Sequence, residues 1–269
     1  MTQNINLELK LLLTLEEKEL SSFTINDAKD ILKTSSSSVW HVLYRLVQKR
    51  RIHRIERGKY LLIPAKAGVE GNWSEYFQIL LPNLIDVYYI GFYTAMDYWN
   101  MTEQIPQTVF VATTKRKQDL EFGYQNYKFI TLSEKKFFGF VQEKIYKDNY
   151  FNISSKEKTI IDGLTHPEYC GGLVEVLKAM WNAREELDWG IVVKMAEQIK
   201  IDVVLKRLGY LLSILDIEKN ISEEIKNKIN KTSYHYLDYT TIAPKVETSK
   251  DYKLIINKSK TRLLDWMDN

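Results

Sequence analysis

Cysteine is nearly absent: Cys170 is the single one among 269 residues. An intrachain disulfide framework and a thiolate metal cluster are therefore excluded. Cys170 precedes Gly171-Gly172 and reads as a small buried or turn residue. There are five prolines, no internal repeat, and no low-complexity segment beyond Ser35-Ser36-Ser37-Ser38, so a disordered tail is not expected. No apolar run approaches the roughly 20 residues of a membrane span. The polar opening MTQNINLELK lacks the pattern of a secretory leader. A soluble cytoplasmic protein with no membrane partner is the expectation.

Histidine is also sparse. His41, His53, His166 and His235 form no HxxxH or HExxH pair, which leaves zinc catalysis without support. His166 stands before Pro167 and reads as a helix-end residue. The phosphate-cradling patterns GxxxxGK[ST] and GxGxxG are missing, as is the GxSxG nucleophile elbow. Glu157 and Asp162 lie near Lys156 and Lys158, and Asp97 and Glu103 are further carboxylates without a partner motif. Charges at such density along one helix usually form a solvated face or surface ion pairs. The expectation is no enzyme, no catalytic residue, no metal and no cofactor.

What the chain does have is 45% hydrophobic and 12% aromatic residues, ample for folded cores, with an ordinary 27% charged. Net charge is only +3, but it is unevenly placed. Arg45, Lys49, Arg50, Arg51, Arg54, Arg57 and Lys59 stand against Glu56 alone. A basic segment on an otherwise balanced chain suggests a nucleic-acid module joined to a differently employed body.

That segment closes a recognisable layout. Ile5 to Leu20 reads as an amphipathic helix with Leu9, Leu12, Leu13 and Leu20 as packing candidates. Ser21-Ser22 or Thr24 caps a second helix, with Ile25, Ala28, Ile31 and Leu32 on one face. A Ser-rich turn, Thr34 to Ser38, leads into a third helix through Val39, Val42, Leu43, Leu46 and Val47. An apolar/polar alternation follows, with Ile52, Ile55, Tyr60 and Leu62 on either side of Arg57-Gly58-Lys59, a hairpin signal. Helix, turn, helix and basic hairpin predict a winged helix-turn-helix over residues 1–64.

In such a motif the second helix of the pair enters the major groove of double-stranded DNA with its N-terminal residues on base edges. Ser35, Ser36, Ser37 and Ser38 occupy that end, where backbone N–H groups also favour phosphate. If the Val39/Leu43/Leu46 face is buried, Ser37, His41, Tyr44, Arg45 and Gln48 lie outward. Lys49, Arg50, Arg51, Arg54, Arg57 and Lys59 complete a patch whose affinity for DNA falls with salt.

Residues 65–71 read as a linker, and residues 72–269 as a larger mixed domain. Helices are predicted from Trp73 to Leu80, stopped by Pro82, and from Phe92 to Trp99. Strands are predicted at Val87–Ile90, Thr108–Ala112, Tyr127–Ile130, Phe137–Val141 and Phe151–Ile153, where β-branched and aromatic residues dominate. Ser154 or Ser155 opens a helix through Ile160, Ile161 and Leu164, Glu157 completing a capping box if Ser154 is the cap. Helices then run from Leu173 to Trp181, from Trp189 after Asp188, after a capping Asp202 through Leu215, and from Ile221 to Ile229. Tyr234–Leu237 and Tyr252–Ile256 read as late strands. Strands mainly first and helices after predict an α+β fold.

The body resembles the AbiEi family, antitoxins and transcriptional regulators of AbiE-type (type IV) toxin–antitoxin systems. The residues that carry this are the run from Gly91-Phe92-Tyr93-Thr94-Ala95 through Trp99, Met101-Thr102, Gln104 and Pro106. They continue through Asn152-Ile153-Ser154-Ser155-Lys156-Glu157-Lys158-Thr159-Ile160-Ile161-Asp162, then Pro167, Gly171-Gly172 and Arg207-Leu208-Gly209-Tyr210-Leu211-Leu212. The resemblance covers most of the chain and is loosest from Lys219 to Asn269. It implies an autorepressor that binds inverted repeats in its own promoter, as a monomer in solution or a dimer on DNA. It also implies neutralisation of a nucleotidyltransferase-like toxin of the AbiEii family, with or without a direct complex. Most motif residues read as packing or turn positions; Gln104, Glu157 and Asp162 are the candidates for a functional surface. The alternative is a winged-helix regulator whose aromatic-rich body senses a small ligand. A metal-dependent nuclease or transferase using Asp162 and Glu157 ranks last.

Overall fold

The structure is a computed structural model and describes residues 6–68, 77–146, 149–229, 232–241 and 244–267. The fold is α+β. In chain order the elements are α1 (Leu7–Glu17), β1 (Ser22–Thr24), α2 (Ile25–Leu32), α3 (Ser36–Gln48), β2 (Ile52–Glu56), β3 (Lys59–Leu62), α4 (Phe77–Leu84), β4 (Tyr88–Ile90), α5 (Phe92–Tyr98), β5 (Thr108–Thr113), β6 (Leu120–Phe122) and β7 (Gln125–Thr131). They continue as β8 (Phe140–Tyr146), β9 (Asn149–Ser154), α6 (Lys156–Thr165), α7 (Leu173–Asn182), α8 (Trp189–Gln198), α9 (Asp202–Leu215), α10 (Lys219–Lys228), β10 (His235–Tyr236), β11 (Glu247–Ser249), β12 (Leu254–Ile256) and α11 (Lys260–Leu264). The strands form sheets ordered β1-β3-β2, β6-β7-β5-β4-β9-β8 and β10-β12-β11.

The chain divides into two compact units: Met1–Asp86 with Leu120–Asn126 and Lys144–Phe151, and Val87–Asp119 with Tyr127–Glu143 and Asn152–Asn269. Of the expected linker, Ala65–Ala67 is a turn of 3₁₀ helix; residues 69–71, and residues 73–76 of the next expected helix, lie outside the described residues.

In the first unit Thr24 caps α2, its hydroxyl accepting from Asp27 N while the Asp27 carboxylate accepts from Thr24 N, a reciprocal capping box. Ser22–Thr24, expected only as cap residues, also form a strand antiparallel to β3. The β2–β3 hairpin turns at Arg57-Gly58, where Gly58 takes the left-handed region that glycine enters without a Cβ penalty. The core is Leu11, Leu15, Phe23, Ala28, Leu32, Val39, Val42, Leu43, Leu46, Ile52, Tyr60 and Leu62.

The buried face of α1 differs from the expected one. Leu9 and Leu13 are half exposed and Leu20 is exposed, whereas Leu11 and Leu15 are fully buried. Leucines at 7, 9, 11, 12, 13 and 15 offer more than one apolar stripe, and packing against α2 and α3 selects the one centred on Leu11 and Leu15. Nor does Pro82 stop α4, which runs to Leu84 with Ile85 N donating to Leu81 O. Proline lacks a donor but keeps a helix-compatible φ, so later N–H groups continue the ladder.

In the second unit β4 is antiparallel to β5 and parallel to β9, with α6 following β9. Of the two caps expected for α6 one is selected, and two other local expectations are corrected. Ser155, not Ser154, caps α6: its side chain accepts from Lys158 N, and Ser154 Oγ lies 2.7 Å from Thr159 Oγ1. Ile201 occupies the N-cap position of α9, and Asp202 is its first residue, ion-paired to Lys206 one turn on. The strand expected from Phe137 begins only at Phe140, because Gly139 at φ +72° is not extended backbone. The core gathers Tyr89, Phe92, Met96, Ile160, Ile161, Leu164, Leu177 and Leu208, with Cys170 buried as expected.

Candidate functional site

The first unit presents α3 and the basic hairpin. Ser35 caps α3: its side chain accepts from Ser38 N at 3.2 Å and lies 3.0 and 2.8 Å from Ser37 Oγ and Ser38 Oγ. Ser35, Ser37 and Ser38 are thus engaged with one another at the helix end, and Ser36 and Ser37 are exposed. At about 100° per residue, Val39, Val42, Leu43 and Leu46 share the buried face. Ser37, Trp40, His41, Tyr44 and Gln48 share the opposite one, all exposed. Trp40 was not among the expected contacts. The signal was present, since Trp40 and Tyr44 are four apart and off the apolar stripe.

The expected cations do not act alike. Arg45 Nε and Lys49 Nζ both reach Glu8 of α1, at 2.7 and 2.6 Å, and Glu8 is itself buried to 8% exposure. They tie α1 to α3. Arg51 Nη1 donates to Gly68 O at 2.7 Å, and Lys59 Nζ to Leu84 O at 3.2 Å, so both are drawn back onto the unit. Arg54 Nε makes a long 3.4 Å bond to Glu56 O, leaving the side chain exposed. Arg50 and Arg57 are exposed as well. Arg45 and Lys49 nevertheless keep 55% and 58% of their side chains exposed, so the outward cations are Arg45, Lys49, Arg50, Arg54 and Arg57. Burial holds the imidazole of His53 on β2 below its ordinary range.

In the second unit the three expected surface residues do not come together. Gln104 is exposed, and its side-chain carbonyl accepts from Tyr93 OH at 3.0 Å. Glu157 Oε2 accepts from Ser155 Oγ at 2.9 Å, a local bond at the start of α6. Asp162 is not at a surface at all: it is 2% exposed and Lys158, one turn earlier, is 0% exposed. Lys158 Nζ donates to Asp162 Oδ1 and, at 2.9 Å, to Tyr89 OH, which donates to Asp162 Oδ2 at 3.1 Å. The Phe138 ring lies 5.2 Å from the ammonium, and Tyr89 stacks on Phe140 with centroids 5.6 Å apart.

Burial raises the Asp162 carboxyl above the ordinary carboxylate range, and the adjacent Lys158 charge only partly offsets it. Burial and the Asp162 charge push the Tyr89 phenol well up, and burial does the same to the Cys170 thiol. Lys158 and Asp162 thus leave the expected solvated face for a buried, mutually satisfied cluster, while Lys156 makes a surface ion pair with Glu186. The sequence shows the i,i+4 pair; its burial comes from a helix enclosed on all sides from Lys158 to Thr165.

A second buried cation, Arg207 on α9, donates to Leu237 O at 2.7 Å and Leu164 O at 2.8 Å. It satisfies a carbonyl at the end of α6 that the helix leaves unpaired. Desolvation pulls its basicity down. A surface cavity of about 400 Å³ is lined by residues that include Thr102, Gln104, Glu175, Lys178, Trp181 and Trp266. Among the described residues no group of His, Cys, Asp and Glu is placed to hold a metal ion, and no helix is long and apolar enough to cross a membrane.

No family model matches the chain, and no curated protein matches it. Among solved structures it is similar to the RV2827C protein from Mycobacterium tuberculosis. The TM-score is 0.70 at 11% sequence identity, over 98% of this chain and 95% of that one. At such identity the likeness carries the fold, shared along nearly the whole length, and nothing about activity.

Proposed function

We propose that the first unit is a winged helix-turn-helix that binds double-stranded DNA, and that the chain is a cytoplasmic transcriptional regulator. The observation that carries this reading is the face of α3. Ser37, Trp40, His41, Tyr44 and Gln48 point outward from a helix containing no acidic residue, and Arg50, Arg54 and Arg57 of the segment that follows it are exposed. Helix ends with free N–H groups and a basic hairpin are what phosphate backbones engage, while the helix face meets base edges.

The resemblance to the AbiEi family extends this to an antitoxin. The chain would repress its own operon at promoter inverted repeats and neutralise a nucleotidyltransferase-like toxin, with no catalytic step of its own. A second reading, sensing of a small ligand by the body, is favoured by the cavity beside Trp181 and Trp266.

The test is a gel-shift titration on DNA from immediately upstream of the gene, against a scrambled duplex, at two salt concentrations. Selective, salt-sensitive shifts are expected. Arg54→Ala with Arg57→Ala should lower affinity uniformly across sequences and reduce the salt slope by about 2, one for each phosphate no longer neutralised. Equal affinity for both duplexes refutes the regulator reading, and no shift on either refutes DNA binding. Co-expression with the neighbouring gene tests the antitoxin reading: toxicity unrelieved by the full chain overturns it.

A further inference from the structure

The outward face of α3 has a definite chemistry. From Ser37 to Gln48 it runs roughly 16 Å at 1.5 Å per residue, the length of about five base-pair steps. Its largest surfaces are aromatic: Trp40 is 47% and Tyr44 65% exposed, one turn apart. Both stand in water on a helix whose opposite side is fully packed. A partner that covers them offers apolar area at that spacing.

In the major groove that area is the thymine C5-methyl group. Gln48, at the far end of the same face, matches the paired donor and acceptor of an adenine edge. His41 carries a single ring donor when neutral, enough for a purine N7, which adenine and guanine share. Guanine is distinguished by a bidentate Arg or Lys. The one Arg or Lys within α3 is Arg45; its side chain is 55% exposed, and its Nε is bound to buried Glu8 at 2.7 Å. Lys49, just past the helix, is held by the same carboxylate.

We infer that α3 reads an A·T-rich half-site, packing thymine methyl groups against Trp40 and Tyr44 and pairing Gln48 with adenine, while Glu8 occupies the Nε of Arg45 and competes with a base edge for it. The inference rests on the DNA reading above and adds the base class to it. Arg50, Arg54 and Arg57 then supply affinity through phosphate, without sequence preference.

The experiment selects binding duplexes from a random library with the full chain at fixed salt. Each thymine of the enriched site is then replaced by deoxyuridine, which removes the methyl and keeps every hydrogen bond. The enriched half-site is expected to be A·T-rich over about five base pairs. Removing a methyl that packs on either ring should weaken binding about fourfold, the factor that burying one such group supplies. In Trp40→Ala, an exposed position whose folding is checked by circular dichroism, the thymine and deoxyuridine duplexes should differ less than in the parent.

A G·C-rich enriched half-site overturns the inference, as does equal binding of thymine and deoxyuridine duplexes; in both cases the DNA reading survives. No enrichment above the starting library overturns both.

Discussion

Replacing Asp162 by Asn tests the buried cluster most directly. Lys158 and Asp162 are 0% and 2% exposed, and their neighbours are Tyr89, itself stacked on Phe140, and the ring of Phe138. The Asn side chain keeps the volume and a hydrogen-bonding oxygen but removes the counter-charge. Lys158 is then a buried cation with a phenol and an amide for company. Breaking a buried ion pair from one side costs about 3–5 kcal/mol, most of it the uncompensated charge.

The same reasoning makes the double change Lys158→Met/Asp162→Leu far milder than the single one. Apolar replacements of similar volume are often neutral or stabilising by about 1–4 kcal/mol, and the ring-lined site suits them; Tyr89 OH alone is left without partners, at about 1–3 kcal/mol. The assay is urea unfolding followed by tryptophan fluorescence, with the transition of the second unit fitted separately. A loss under about 1 kcal/mol in Asp162→Asn would refute the reasoning, because it would mean that water reaches the ammonium. A double variant as unstable as the single one would refute it too.

Three further outcomes are expected. Leu11→Ala should cost about 2–5 kcal/mol and Leu13→Ala less than about 0.5 kcal/mol; thermal melts of the two variants separate the buried face of α1 from the exposed one. Gly209→Ala should destabilise by about 1–3 kcal/mol despite the gain in helix propensity. An added Cβ would stand 2.6 Å from Ile225 Cγ2 and 2.7 Å from Tyr252 Cε1, and a stability gain in denaturant melts would contradict that close approach.

The third concerns pH. Burial depresses the His53 imidazole; burial and then the Lys206 charge depress that of His235, outweighing the nearby Asp202. A depressed folded pKa means that the unfolded chain takes up the proton first. The associated stability is present above pH about 6.5 and is lost as pH falls below it through the folded values. His53→Gln/His235→Gln should therefore lose less stability than the parent between pH 7.5 and 5.5 in paired urea titrations, where other titrating groups cancel.

Much of the secondary structure was legible because it is local. The capping Thr24, the Ser35 turn and the Asp188 cap bond to backbone within three residues, and an apolar period of 3.6 marks the inner face of α3 whatever packs on it. The same period would have placed Trp40 on the outer face. It failed on α1, where leucines fill two stripes and only α2 and α3 choose between them. Short strands such as β1, β6 and β11 carry too few residues for a period of two to emerge, and exist because a neighbouring strand accepts their hydrogen bonds.

The site divides along the same line. The helix–turn–helix–hairpin order and its run of cations are readable along the chain, because charge and capping are properties of neighbours in sequence. Which of those charges are free and which are engaged follows from the fold. Glu8 lies 37 residues before Arg45, yet draws it and Lys49 onto α1. Lys158 and Asp162 look in sequence like any solvated pair, and are buried because Tyr89 and the Phe137–Phe140 loop close over them. Burial depends on residues remote in sequence, and it is burial that turns a surface ion pair worth little into a costly internal one.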